Sequence, residues 1–221
     1  MTPEGERALD RWCRFMGYGN PRATLWIVGI EEGGAHREGR FLELLTNDYR
    51  PIPGTDDLTF EPLLRRDVRE RSAVWTFAQE LMGRVFHAPD PKAVEMFSET
   101  SPIFLSNAYP LAKPNTKGAW PYRRYLSKIE YEQYVSRCRP EHFKKLRPLH
   151  TIVVGHGKGA WLLHRLAFRT GDETAKVLWN GELEIYQQSR LILAPFFWNR
   201  SMSRERIGEI ATVVKKLMTT G

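Results

Sequence analysis

The chain has 221 residues, of which 42% are apolar and 27% are charged, and its formal net charge is +7. These values fit one globular domain over 1–221 and argue against a disordered chain. No run of about 18 apolar residues offers a membrane span, and the N-terminus has no apolar signal core, so we expect a cytoplasmic protein. The two cysteines, Cys13 and Cys138, are too few for a disulfide framework or for a four-thiolate metal or iron–sulfur site within the chain. We expect neither a metal ion nor a cofactor.

The positive charge is concentrated in the segment 113–147, which contains ten Lys and Arg residues against three Glu residues. The excess in this segment equals that of the whole chain. Such a segment favours polyanions through salt-dependent contacts with phosphates, and its interleaved Trp and Tyr residues suit base stacking. A solvated face of a basic helix is the alternative interpretation.

The first half of the chain predicts two helices and two strands. Thr2-Pro3 indicates the start of a helix, with a capping hydroxyl and a proline at the first helical position, and Gly17 marks its end. A continuously apolar strand follows over 23–30, and a polar, glycine-rich loop then begins at Glu31. Apolar residues at helical spacing predict a second helix over about 71–86. The second buried strand is predicted over 102–106 and ends at Asn107.

The second half continues the alternation of strands and helices. The run 151–155 predicts a third buried strand. A helix over about 159–169 follows it, with its leucines and Ala167 predicted to face inward: Leu162, Leu163 and Leu166.

The last part of the chain predicts a hairpin, a strand and a helix. Asn180-Gly181 indicates a tight turn within 177–186, because these residues readily adopt a positive φ. The last strand is predicted over 191–194, and Ser203 caps a final helix. Four strands that alternate with helices indicate an α/β protein with a parallel sheet and right-handed crossovers.

The carboxyl ends of these strands are the expected place for a ligand. Glu31 follows the first strand between glycines, where a carboxylate can activate water. Asn107 follows the second strand, and its amide offers a donor and an acceptor that can read the edge of a base. A solvated glutamate loop and an asparagine that satisfies nearby backbone are the alternatives.

Two further loops lie at the same edge. Residues 155–159 lack the central serine of a hydrolase nucleophile elbow and the spacing of a phosphate loop, so they predict a strand-to-helix turn. In the loop 198–203, Arg200 and helix N-terminal amides suit a phosphate, and an exposed Met202 suits an apolar wedge. A packed loop is the alternative for this last segment.

Several short segments occur in an order that is typical of one enzyme superfamily. They are Gly19–Gly29, the Gly39-Arg40-Phe41 triplet, Phe104-Leu105-Ser106-Asn107 followed by Lys113-Pro114-Asn115, the strand, glycine and helix over 152–163, and Asn180-Gly181 followed by 191–195. In this order and spacing, over most of the chain, they resemble the motifs of the uracil-DNA glycosylase superfamily, nearest its thermostable iron–sulfur class.

The resemblance implies a three-layer α/β/α fold with a central four-stranded parallel sheet. It implies a metal-independent hydrolase that acts on a damaged base extruded from single- or double-stranded DNA. Glu31 would orient water, Asn107 would read the base edge, Phe41 would stack on the base and Asn199 would hydrogen-bond the leaving base. The remaining implied contacts are Trp198 with the base, and Lys113, Arg123, Arg124, Lys158, Arg200 and the wedge Met202 with the nucleic acid.

The chain departs from this family at its catalytic positions. Ile30 stands where the nearest class has its catalytic Glu, and Glu31 stands where the classical class has its water-orienting Asp. Trp198 and Asn199 replace the His and Pro of the last motif, so this loop supplies no imidazole, and the four cluster cysteines are absent. Two other functions stay open: a non-catalytic nucleic-acid-binding member of the fold, and an enzyme of free nucleosides or nucleotides.

Overall fold

The computed structural model of the protein describes residues 1–33, 49–55, 57–61, 73–88, 96–113, 120, 122–197 and 202–220. These residues form five helices and nine strands. The helices are α1 (Pro3–Arg14), α2 (Ala73–Val85), α3 (Lys128–Leu146), α4 (Trp161–Phe168) and α5 (Arg204–Thr219). The strands are β1 (Phe15–Gly19), β2 (Leu25–Gly33), β3 (Arg50–Pro51), β4 (Thr59–Glu61), β5 (Ile103–Lys113), β6 (Ile152–His156), β7 (Lys176–Leu178), β8 (Leu183–Tyr186) and β9 (Leu191–Ala194).

All nine strands form one mixed sheet in the order β3-β4-β1-β5-β2-β6-β9-β8-β7. The neighbours β5, β2, β6 and β9 pair in parallel, whereas β1 is antiparallel to β5 and β8 is antiparallel to β9. The α/β class is therefore confirmed, and the sheet formed by the described residues is mixed and has nine strands. The strands β1, β3 and β4 were not predicted, because segments of two to five residues without a continuous apolar run do not mark a strand.

The first and last helices begin where their capping residues predict. The Thr2 hydroxyl accepts a hydrogen bond from the Gly5 N–H at 3.1 Å, and the Ser203 hydroxyl accepts one from the Arg206 N–H at 3.2 Å. The predicted end of α1 at Gly17 is wrong, because the helix ends at Arg14 and Gly17 lies in β1. A contact distant in sequence accompanies this end, since the Arg139 guanidinium binds the main-chain oxygens beside it.

The strands β2 and β5 both continue past their predicted ends. Glu31 lies within β2 and pairs with Tyr109, so the predicted start of a loop at Glu31 is wrong. Asn107 lies inside β5, not after a strand, and pairs with Gly29. Pro110 is tolerated because the described pairing of β5 with β1 involves only residues 104 and 105, and the ladder with β2 shifts register near Pro110.

Apolar side chains cover both faces of the sheet. Leu25 and Ile27 of β2 belong to one core cluster with residues of α2 and α5. Trp26 and Val28, which point to the opposite face, belong to a second cluster with residues of α3 and α4. Among the residues described, no helix combines the length and apolar character needed to cross a lipid bilayer.

The inward face of α4 differs from the prediction. Leu163 and Ala167 are buried as expected, but Leu162 and Leu166 are 68% and 48% exposed. Aromatic rings occupy the sheet-facing side instead, because Trp161 and Phe168 bury larger surfaces against β6 and β9. The prediction failed because helical spacing alone does not choose between two overlapping apolar faces.

Candidate functional site

Two polar side chains meet over a glycine in the centre of the sheet, where β6 ends while β2 and β5 continue. Gly29 of β2 pairs with Asn107 of β5, and the adjacent strand β6 ends at His156. A methyl group on Gly29 would lie 2.7 Å from Asn107 Oδ1 and 2.9 Å from His156 Nε2. The amide and the imidazole thus approach Gly29 more closely than any side chain there would allow, and we call them the Asn107–His156 pair.

Aromatic rings hold His156 in place. Its ring stacks on Phe197 with centroids 3.8 Å apart and planes inclined by 21°. Phe197 stacks in turn on Phe77 of α2 at 3.4 Å. His156 is 2% exposed, and neither of its ring nitrogens has a hydrogen-bond partner among the described residues. Because buried polar atoms are nearly always paired, this imidazole is a candidate to bind a ligand.

Burial keeps both histidines of this region uncharged. Burial, and secondarily the nearby His164, lowers the pKa of His156 to about 3. Burial likewise lowers the pKa of His164 to about 3, although the Gly29 backbone opposes this shift. At neutral pH the His156 ring therefore presents one N–H donor and one nitrogen acceptor.

Acidification is expected to destabilise the protein through His156. Its folded-state pKa of about 3 lies below the roughly 6.5 of an unfolded histidine, so at intermediate pH the unfolded chain binds a proton that the folded chain does not. The free energy of unfolding should fall as the pH falls from about 6.5 toward 3, with up to about 1.4 kcal/mol per pH unit from this residue.

Urea denaturation at several pH values measures this effect in the native chain and in His156→Phe. The variant should show a shallower pH dependence, whereas His150→Asn, at an exposed position, should keep the native slope. If stability depends equally on pH in the native chain and in His156→Phe, protonation of His156 does not destabilise the folded protein.

The main chain around Asn107 is fixed by a buried cation. The Asn107 main-chain oxygen accepts a hydrogen bond from Arg139 Nη2 at 2.9 Å. The Asn107 side chain is half-buried. The strand therefore holds the amide next to Gly29.

The predicted turn after β6 is present and depends on a glycine. Gly157 has φ +88°, a left-handed conformation, and a methyl group on it would overlap the Ile30 side chain. The chain then forms one 3-10 turn over Lys158–Ala160 before α4 begins. This geometry places the exposed Lys158 two residues after His156, with its ammonium 5.6 Å from the centre of the Trp161 ring.

The structure describes only some of the predicted site residues. Glu31 and Lys113 lie on β2 and β5, where Glu31 pairs with Tyr109 and Lys113 with Gly33, but their side chains lie outside the described residues. The positions wholly outside are Phe41, Trp198, Asn199 and Arg200. Of the predicted residues, Asn107 is the one that the described structure brings into the pair.

Three of the residues predicted to contact nucleic acid differ in exposure. Arg123 and Arg124 are exposed in the turn that precedes α3. Met202 is half-buried and packs against the core cluster that contains α2 and α5, so it is not the exposed residue that the sequence predicted. Its packing follows from its position directly before Ser203, the cap of a helix that contacts the sheet.

Part of the basic segment 113–147 stabilises the core. Arg139 is 2% exposed and binds main-chain oxygens. Arg147 donates hydrogen bonds to the main-chain oxygens of Thr151 and Ser189 at 2.7 and 2.6 Å, and burial lowers its pKa to about 10. These two cations are therefore not part of a solvated face.

The sequence prediction missed His156. The turn 155–159 was interpreted from motifs that it does not match, although a histidine directly after a buried strand lies at the ligand-binding edge of an α/β sheet. A cleft of about 910 Å³ lies elsewhere, between α2 and α5, and is lined by charges of both signs that include Arg84, Glu205 and Lys215. We place the candidate site at the Asn107–His156 pair because an imidazole without a described hydrogen-bond partner and an amide converge there.

No protein-family model matches the chain, and no curated protein matches it. Within the described residues, no group of three or more His, Cys, Asp or Glu side chains is placed to hold a metal ion. The chain is thus an α/β protein with a mixed nine-stranded sheet in its described part, and the resemblance of its motifs to uracil-DNA glycosylases stays a prediction.

Proposed function

We propose that the chain is a DNA glycosylase-like protein that binds an extruded base at the Asn107–His156 pair and hydrolyses its N-glycosidic bond. The observation that supports this function is the convergence of Asn107 Oδ1 and His156 Nε2 beside Gly29. Gly29, Asn107 and His156 belong to three neighbouring parallel strands. Their carboxyl ends are where ligands of such sheets bind.

The pair has the chemistry that a base edge requires. A planar base presents acceptors and N–H donors side by side, and an asparagine amide can bind both at once. A neutral imidazole adds one N–H donor, which can hydrogen-bond the negative charge that develops on a departing base. In the proposed reaction the bond between sugar and base breaks, water adds to the sugar carbon, and the base leaves with a proton. Glu31, two residues beyond Gly29 on β2, is the group proposed to orient that water.

Charge and fold supply the rest of the proposal. The net charge of +7 and the exposed Arg123, Arg124 and Lys158 favour a DNA partner. Apolar clusters on both faces of the sheet support the three-layer α/β/α arrangement of the proposed family, and we place the protein in the cytoplasm.

Incubation with oligonucleotides that carry uracil, hypoxanthine or an alkylated base tests the function. We expect an abasic product from at least one of them, detected by alkaline strand cleavage. Asn107→Ala removes a two-point contact worth about 1–3 kcal/mol, so the rate should fall roughly 5- to 150-fold. Gln133→Ala, which removes an exposed amide on α3, should leave the rate unchanged.

Two results would replace this proposal with another function. Salt-dependent binding of the oligonucleotides by the folded protein, with no abasic product from any of them, would identify a non-catalytic nucleic-acid-binding protein. Tight binding of mononucleotides without affinity for oligonucleotides would identify an enzyme of free nucleotides or nucleosides.

A further inference from the structure

The two cysteines lie far apart in sequence but touch in the fold. Cys138 on α3 packs against the buried cluster that contains Cys13 of α1, and a hydrogen bond joins the two sulfurs. Cys13 is fully buried, whereas Cys138 is partly exposed to solvent. The inner sulfur is therefore shielded, and the outer sulfur can meet a small reagent.

We propose that Cys13 and Cys138 are a redox-active dithiol that forms a reversible disulfide with a peroxide, and that Cys138 reacts first. The proposal is independent of the function proposed above, because the oxidation is measured on the sulfurs themselves.

Hydrogen bonds to the main chain near the two cysteines hold α1 and α3 in position. Arg139, the residue after Cys138, donates from Nη1 to the Cys13 main-chain oxygen at 2.9 Å. One turn further along α3, His142 Nδ1 lies 2.8 Å from the same oxygen. These two contacts join the end of α1 to α3 next to the thiol pair, so the sulfurs are kept together while both are reduced.

The environment makes the two thiols unequal. The hydrogen bond from Cys13 lowers the pKa of Cys138, burial opposes this shift, and the charge of Arg139 lowers the pKa further. Burial raises the pKa of Cys13 well above its usual range, with the hydrogen bond to Cys138 as the next cause. The carboxylate of Asp10 opposes ionisation of both thiols. Because the thiolate is the nucleophile, the attack on the peroxide starts from Cys138.

The reaction proceeds in two steps. The Cys138 thiolate attacks one peroxide oxygen, the O–O bond breaks, and hydroxide leaves and takes up a proton, which gives a sulfenic acid on Cys138. The Cys13 sulfur then loses its proton and attacks the Cys138 sulfur, the S–O bond breaks, and water leaves. Two electrons pass from the sulfurs to the peroxide, and with hydrogen peroxide the products are one disulfide and two waters. A reducing compartment would restore the dithiol, as for other transient cytosolic disulfides.

Mass spectrometry of the native chain tests the proposal. The reduced protein is treated with one equivalent of hydrogen peroxide, alkylated with iodoacetamide and digested. We expect a peptide pair linked through Cys13 and Cys138, two hydrogens lighter than the separate peptides, which disappears after treatment with dithiothreitol. Cys13 and Cys138 should lose their reactivity toward iodoacetamide together. The oxidised chain should run as a monomer on a non-reducing gel.

Two variants test the order of the steps. Cys13→Ser should stop at a sulfenic acid on Cys138 that dimedone traps, whereas Cys138→Ser should leave Cys13 unmodified. The proposal is overturned if the native chain keeps both thiols, if Cys138 is oxidised to a sulfinic acid while Cys13 stays a thiol, or if the disulfide links two chains. Because these three outcomes are measured on the native chain, they test the proposal even if a variant does not fold.

Discussion

Replacement of Arg139 by Met is expected to lower the free energy of unfolding by about 2–4 kcal/mol. The guanidinium is buried and donates to the main-chain oxygens of Cys13, Phe15 and Asn107 at 2.8–2.9 Å. Met fills a similar volume but removes one donor from each of these three oxygens, although His142 Nδ1 stays 2.8 Å from that of Cys13. Each buried oxygen left unpaired costs about 1–3 kcal/mol, and the removal of a buried charge offsets part of this loss.

The location of Arg139 explains why this cation is stable although no carboxylate among the described residues pairs with it. Two of its acceptors lie at the carboxyl end of α1, where the helix dipole is negative, and its guanidinium carbon lies 4.7 Å from the centre of the Phe143 ring. Urea denaturation measures the effect. Arg137→Met, an exposed change on the same helix, is the matched control and should alter stability by less than about 0.5 kcal/mol. Equal stability of the two variants would mean that the cost of burying the charge cancels its hydrogen bonds.

Gly29→Ala is expected to close the candidate site. The new methyl group would lie 2.7 Å from Asn107 Oδ1 and 2.9 Å from His156 Nε2, closer than side-chain carbons approach such atoms. Both side chains must move, and such overpacking costs about 1–3 kcal/mol of stability. Because the pair can no longer be approached by a base, we expect loss of excision and of preferential binding to damaged oligonucleotides.

Gly159, in the turn that follows β6, supplies the control for Gly29→Ala. A methyl group there would meet only the Ile30 side chain, at 4.0 Å, so Gly159→Ala should change stability by less than about 0.5 kcal/mol and leave binding intact. Binding titrations with damaged and undamaged oligonucleotides compare the two variants. Unchanged preference for the damaged strand in Gly29→Ala would show that the base is bound elsewhere.

The sequence predicted one residue of the candidate site, Asn107, and missed the other, His156. The sequence pointed to Asn107 because a polar residue at the end of a run of buried residues marks the edge of a parallel sheet where ligands bind. It did not point to His156, although that residue follows the third run in the same way. Whether the two side chains face one another depends on strand register and on which face each residue takes, since a shift of one residue reverses the face.

The sequence alone determined the α/β class, the four apolar strands and the capped first and last helices, because each follows from a local pattern of apolar residues or from one capping side chain. Tertiary structure decided the edge strands, the burial of Arg139, the contact of Cys13 with Cys138 and the space beside Gly29. These features depend on segments that are distant in the chain, and their energy comes from pairing and packing between such segments, to which no local pattern corresponds.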